Sequence, residues 1–264
     1  MDKILKMIEA QHWDYEPSRI PAHIAFVHED GLIMIKNPES RSIHSNRVVH
    51  TNFSKGDFES RYQEVVDFFD RLPFGWWAGP RDRPIDLASR LKEKEFRVID
   101  EYVGLAYDLR TIDERDEGGS CAEIVDVSTD EELRDLVEVG TAVWGYDEET
   151  TAAVARDKKA ILQLPERRGG FTLASVEGKP VGFANYRFSG DGEAIYLNGS
   201  GVLQTYRRQG IYRKLVESRL LLAKAKGCRF AVTQARVGMS DTVLKAIGFR
   251  EYGTYQLLTR EECS

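Results

Sequence analysis

Apolar positions in the second half of the chain recur at two spacings. At steps of three and four they mark helices: Leu133, Leu136, Val137 and Val143 form one stripe. Thr129 and Glu132, three residues apart, supply the capping box that starts this helix. Asp147–Leu164 reads as a second helix. Short apolar runs bounded by turn residues predict strands over Ala122–Val127, Gly170–Val176, Val181–Phe188, Ala194–Leu203, Phe230–Ala235 and Glu251–Thr259. Glu177-Gly178-Lys179-Pro180 is the expected turn of a hairpin. A long helix, Arg208–Lys226, stops at Gly227, and a short one from Ser240 to Ile247 is closed by Gly248. One long crossover helix among these strands predicts an α/β fold, a mixed sheet covered by helices.

The first half repeats part of this order. Gly75–Phe96 aligns without a gap on Cys228–Phe249, and Leu91-Lys92 with Phe96-Arg97 matches Leu244-Lys245 with Phe249-Arg250. Upstream lies an amphipathic helix, Phe58–Leu72, with Phe58, Tyr62, Val65, Val66, Phe69 and Leu72 on one face. Recurrence of strand, helix, strand, helix and strand at a long period is the signature of a duplicated unit. The polar, acidic stretch Thr111–Ser120 is the expected linker, dividing the chain into domains at 1–115 and 121–264.

Composition narrows the classes. Lys+Arg 37 against Asp+Glu 43 gives a net charge of −6, which argues against a general nucleic-acid-binding surface. No apolar run approaches the roughly 18 residues of a membrane span, and the N-terminus reads as no signal peptide. The three cysteines Cys121, Cys228 and Cys263 fit no zinc pattern and no disulfide framework, so the expectation is a cytoplasmic protein without a metal. Dinucleotide, phosphate-loop, zinc-protease and serine-hydrolase motifs are absent.

The informative segment is Gly201–Tyr212, GVLQTYRRQGIY. A strand ends at Val202-Leu203 and a helix follows. The first backbone amides of a helix have no intrahelical acceptor and sit at the positive end of its dipole, which suits phosphate or pyrophosphate. Gly210 leaves room for an anion to approach, and Arg207 and Arg208 add charge. Seven basic residues against the single acid Glu217 lie between Arg207 and Lys226, a local inversion in an acidic chain.

This segment resembles the signature of the GNAT acyltransferase superfamily, Arg/Gln-x-x-Gly-x-Gly/Ala after a strand. Gly248-Phe249 resembles the family's later Gly-Phe pair, and the resemblance covers roughly Cys121 to Thr259. It implies two GNAT-like domains, each a central mixed, mostly antiparallel sheet flanked by helices, and a tandem member with a degenerate first domain. It implies acetyl-CoA, or another acyl-CoA, as co-substrate. Val202 and Leu203 would pair with the pantetheine arm, and Arg207, Arg208, Gln209, Gly210, Ile211 and Tyr212 would cradle the pyrophosphate. Strand Glu193–Leu203 would face the acyl group, with Tyr196, Asn198 and Ser200 on one side of it.

Two departures from the family pattern stand out. Tyr212 replaces a small residue, and Leu244 stands where the family's frequent general-acid tyrosine would be, with Ser240 in place of an asparagine. Tyr196, Asn198 and Ser240 are therefore the catalytic candidates, with Tyr252 and Tyr255 as further tyrosines on the last strand. Trp144 and Tyr146 fall where the family places an acceptor-facing loop. In the first half the repeat sets Asn52–Phe58 opposite the Arg-rich turn, and Asp57 and Glu59 lie where an anion would bind, so no cofactor is expected there.

The leading expectation is an N-acetyltransferase acting by direct transfer to a small-molecule or peptide amine, as a monomer or homodimer, without nucleic acid or membrane partners. A non-catalytic CoA-binding regulator and a fold kept only for interaction are the alternatives. The net negative charge favours a cationic acceptor through steering.

Overall fold

A computed structural model of the chain describes residues 1–16, 20–29, 31–112 and 120–260. The expected linker falls largely outside them. Along the chain run α1 (Asp2–Ala10), β1 (Ala25–Glu29), β2 (Leu32–Lys36), β3 (Arg47–Thr51), α2 (Phe58–Phe69), β4 (Gly75–Ala78), α3 (Leu87–Glu93) and β5 (Arg97–Asp108). They are followed by β6 (Glu123–Asp126), α4 (Asp130–Trp144), α5 (Glu148–Leu162), β7 (Gly169–Val176), β8 (Lys179–Phe188) and β9 (Ala194–Val202). The chain ends with α6 (Ile211–Ala225), β10 (Phe230–Arg236), α7 (Ser240–Ile247) and β11 (Arg250–Thr259). The fold is α/β, with mixed sheet flanked by helices. Among the described residues no helix is long and apolar enough to cross a membrane.

The chain divides into two compact units. One comprises Met1–Leu105, Gln234–Lys245 and Arg250–Ser264, and the other Ala106–Thr233 and Ala246–Phe249. In the first unit the strand order is β1-β2-β3-β4-β11-β5. β1, β2 and β3 pair antiparallel, β3 and β4 pair parallel, and β4 and β11 antiparallel. The helices α2 and α3 close over an aromatic interior of Phe58, Tyr62, Phe69, Phe74, Trp76 and Phe96. Phe69 stacks on Phe74 at 4.2 Å, and Trp76 meets Phe96 edge-on at 6.1 Å. Each such ring buries 150–250 Å² in general, so this cluster dominates the unit's hydrophobic stabilisation.

The first unit also holds a buried polar group. The Tyr255 ring needs the two glycines Gly79 and Gly104, at which a Cβ would lie 2.5 and 2.7 Å from it. Its hydroxyl reaches the Glu9 carboxylate of α1 at 3.5 Å, and Arg81 pairs with that carboxylate at 2.7 Å. Burial first, and then the nearby Asp82, pushes Glu9 up to about 7.

In the second unit the order is β10-β9-β8-β7-β6, parallel between β10 and β9 and antiparallel elsewhere. Leu133, Leu136 and Val137 of α4 pack on Phe171, Leu173 and Phe183, as the stripe predicts. Ile211 and Leu215 of α6 pack on Ala174, Val181, Ala184 and Val202. The capping box forms in full: Glu132 N–H donates to Thr129 Oγ1 at 3.2 Å, and Thr129 N–H to Glu132 Oε2 at 2.9 Å.

Several boundaries differ from expectation, each for a backbone reason. The β7–β8 turn is only Glu177-Gly178, both at positive φ (52° and 76°), which matches the twist of the flanking strands and lets β8 start at Lys179. α2 ends at Phe69 because Asp70 and Arg71 turn left-handed. α5 starts after Asp147, whose carboxylate caps Thr150 N–H at 2.8 Å. α6 starts at Ile211 rather than Arg208, because Arg208 and Gly210 both have positive φ. The repeat is visible in the element starts. Phe58, Leu87 and Arg97 open α2, α3 and β5; Ile211, Ser240 and Arg250 open α6, α7 and β11, each 153 positions later.

Candidate active site

The second unit builds its site where β9 meets α6. Leu203 N–H donates to Val181 O at 2.9 Å, which fixes the end of β9 against β8. A single 3₁₀ turn, Gln204–Tyr206, follows. Gly210 then enters α6 at φ +76°, and the first helical bond closes from Lys214 N–H to Gly210 O at 3.0 Å. The amides of Ile211, Tyr212 and Arg213 precede that bond and have no acceptor within the helix. No side chain caps this end, and no acid stands in its first turn. A Cβ on Gly210 would sit 3.4 Å from Ser120, an ordinary contact, so φ rather than space requires glycine here.

The basic residues of this segment separate into two kinds. Arg207 and Arg208 are exposed, and Arg207 Nε donates to Val202 O at 3.1 Å. Among the described residues neither meets a carboxylate. Gln209 reaches back to Thr205 O at 3.4 Å. Arg213 is neutralised by Glu217 at 2.6 Å, and Arg219 is not on the surface at all. Tyr212, the bulky departure from the family pattern, rests on the core cluster containing Ile211 and Leu215.

β9 is open along one edge. Its parallel register with β10 runs only from Ala194–Phe230 to Tyr196–Val232. At the next step Thr233 Oγ1 donates to Leu197 O at 2.8 Å, a side chain where a ladder bond would otherwise continue. Among the described residues no register with β10 follows from Asn198 to Val202, where Gly199 O and Val202 O accept side-chain hydrogen bonds from Asn185 and Arg207.

A bulge changes the side-chain order on β9. Ala184 pairs with Ser200 but Asn185 pairs with Asn198, leaving Gly199 as the extra residue. Tyr196 and Asn198 therefore share a face, and Ser200 turns to the other, contrary to simple alternation. Tyr196 is buried beneath the Arg187 guanidinium, 5.1 Å from its ring, and Asn198 is half-buried. A Cβ on Gly199 would come within 2.9 Å of Trp144, whose indole also meets Phe183 edge-on at 4.7 Å and Tyr146 at 5.5 Å. Trp144 nonetheless remains 42% exposed, so it forms an accessible wall beside the bulge.

Three residues that the sequence reading passed over belong to this region. Lys158 of α5 donates to Asn185 Oδ1 at 2.7 Å and lies 4.0 Å over the Phe171 ring. Burial lowers its pKa to about 8. Asn185 Nδ2 donates to Gly199 O at 2.9 Å and so pins the bulge. Arg219, 1% exposed, donates to Leu215 O at 2.9 Å and to Asn185 O at 3.1 Å, and burial lowers it to about 10. Helical spacing from Thr151, Val154 and Ala155 to Lys158 and Leu162 was the available signal for Lys158, since these positions face inward together.

Other candidates belong to the other unit. Ser240 opens α7, and Leu244 is buried, both in the first unit. Tyr255 is engaged with Glu9 in that unit. A groove of about 820 Å³ between α4 and α5, lined by Leu133, Val137 and Ala155 among others, contains none of the expected site residues. In the first unit a groove of about 630 Å³ is lined by Asn52–Lys55 and Arg83–Asp86, the stretch that the repeat aligns with the Arg-rich turn.

Residues 138–249 match the model of the Acetyltransferase (GNAT) family. The β9–α6 turn lies inside that stretch. A GCN5-related N-acetyltransferase from Kribbella flavida is similar in structure, with a TM-score of 0.70 and 17% identity over 90% of each chain. A functionally unknown conserved protein from Staphylococcus epidermidis ATCC 12228 gives 0.68 at 14% identity, over 96% of this chain and 100% of its own. A tandem GNAT protein from the clavulanic acid biosynthesis pathway gives 0.65 at 15% identity, over 92% of this chain and 84% of its own. At these identities the likeness establishes the fold. No curated protein sequence matches the chain.

Proposed function

We propose that the protein is an acyl-CoA-dependent N-acyltransferase whose cofactor site lies in the second domain, 121–264, with 1–115 a degenerate partner domain. The observation that carries this reading is the glycine-started N-terminus of α6 beside the unladdered edge of β9, both within the stretch that matches the acetyltransferase family. The amides of Ile211 to Arg213, with Arg208, hold the pyrophosphate. The edge of β9 up to Val202 holds the pantetheine arm. Leu203 contributes its side chain alone, since its N–H is committed to Val181. Acetyl-CoA supplies an acyl thioester, to whose carbonyl carbon the acceptor's neutral amine bonds as the C–S bond breaks and CoA departs as thiolate. Asn198 holds the amine or a water that takes its proton, and Tyr196 on the same face orders that site. Trp144 and Tyr146 wall the acceptor. Calorimetric titration with acetyl-CoA, followed by thiol release with a panel of amines, tests the reading.

One observation favours a second reading. Leu244, at the position of the family's usual acid, is buried and apolar, which suits a CoA-binding regulator without turnover. Binding of acetyl-CoA with no thiol release on any amine would select it.

A further inference from the structure

Net charge and local charge disagree in the second unit. The chain is acidic overall, yet among the described residues Lys158 and Arg219 both bond to Asn185 without an acid among their partners. Lys158 meets the Asn185 amide oxygen and the Phe171 ring; Arg219 meets two backbone carbonyls. Buried or half-buried cations in proteins are normally paired with an anion, because desolvation without a counter-charge is costly. Among the described residues, burial lowers the pKa of the Lys158 ammonium and no carboxylate offsets it.

The two cations differ in reach. Arg219 is enclosed and serves to fix the Asn185 backbone from α6. Lys158 is half-buried, and its ammonium has three N–H donors of which the protein accepts one among the described residues. It lies over a cross-strand row, Phe171–Asn185–Asn198, that runs from β7 through β8 to β9. That row ends at the bulge walled by Trp144, where β9 leaves its ladder with β10. One strand spacing, about 4.8 Å, separates Asn185 on β8, which Lys158 meets, from the neighbouring strand β9.

We infer that Lys158 is a carboxylate-recognition residue and that the acceptor is an amino-acid-like molecule, with its acid on Lys158 and its amine at the edge of β9 near Asn198. This specifies the substrate class within the transferase reading and rests on it for the placement of the amine. It reverses the expectation from net charge that the acceptor is cationic.

The test separates the two claims. N-acetylglycine, N-acetyl-leucine and N-acetyl-phenylalanine, together with their neutral amides, are titrated calorimetrically into the full chain with and without saturating CoA. No turnover is required. At least one acid should bind ten or more times more tightly than its amide. Lys158→Met should erase that ratio and leave CoA affinity unchanged, while Lys158→Arg should keep the ratio. Equal binding of acids and amides, binding of none of the six while CoA binds, or a ratio that survives Lys158→Met would overturn the inference and leave the transferase reading standing. An acid preference in a protein that does not bind CoA would do the reverse, supporting the carboxylate site and ending the transferase reading.

Discussion

The starts of α2 and α6 occupy equivalent places in the repeat, yet they are built for opposite ends. At α2 the carboxylate of Asp57 stands at the helix entry, accepting Ser54 Oγ–H at 2.6 Å, and Glu59 lies in the first turn. These acids answer the helix dipole from within and repel any outside anion. At α6 the entry is a left-handed glycine, no acid follows, and two exposed arginines precede it. The interiors differ in the same sense. Around α2 the core is a close-packed set of rings, whereas in the other unit α6 carries Arg219 into its core and α5 carries the half-buried Lys158. A duplicated order of elements can thus carry opposite charge at equivalent helix entries.

Perturbing each copy should give different phenotypes. The largest effect is expected from Trp76→Ala. Its indole is fully buried and donates to Thr51 Oγ1 at 3.0 Å, so its loss should cost about 4 kcal/mol in denaturant unfolding. Acetyl-CoA affinity of the folded remainder should be unchanged.

Next comes Glu9. Its folded pKa of about 7 lies above the ordinary 4.5, so its protonated form is the one that the fold favours. The stability this contributes is fully present below pH 4.5 and is lost as pH rises through 7, a fall of about 3 kcal/mol. Unfolding curves across that window should show the fall, and Glu9→Gln should flatten it.

Gly210→Val places a β-branched residue at φ +76°, which should cost about 1–2 kcal/mol and lower acetyl-CoA affinity about tenfold by displacing the first-turn amides. The smallest effect is expected from Thr129→Ala, which removes the capping box of α4. It should cost about 1 kcal/mol of stability with acetyl-CoA affinity unaltered.

Much of this was legible in the sequence, for reasons that differ by element. The α4 stripe and its Thr129–Glu132 cap are local, so spacing alone revealed them. The repeat was legible because Leu91-Lys92 with Phe96-Arg97 and Leu244-Lys245 with Phe249-Arg250 keep a constant offset. The Arg207–Gly210 turn was recognisable as a candidate anion site, but its backbone was not: positive φ at Arg208 delays the helix by three residues, and no propensity for arginine signals that. The bulge at Gly199 was also hidden, because it depends on pairing with β8, and it changes which of Asn198 and Ser200 shares a face with Tyr196. Arg219 was counted among the basic residues of the candidate anion-binding segment, and Lys158 was passed over. Their burial follows from tertiary packing of α5 and α6, which residue type does not reveal.

The central claim, one competent acyl-CoA site in the second half of the chain, is tested most directly by titrating acetyl-CoA into the wild type and into Arg208→Glu. Wild type should bind one equivalent per chain, and the charge reversal should weaken binding about a hundredfold, roughly 2.8 kcal/mol, in a protein whose unfolding curve is unchanged. Two equivalents per chain, no binding by folded wild type, or undiminished binding by Arg208→Glu would contradict it.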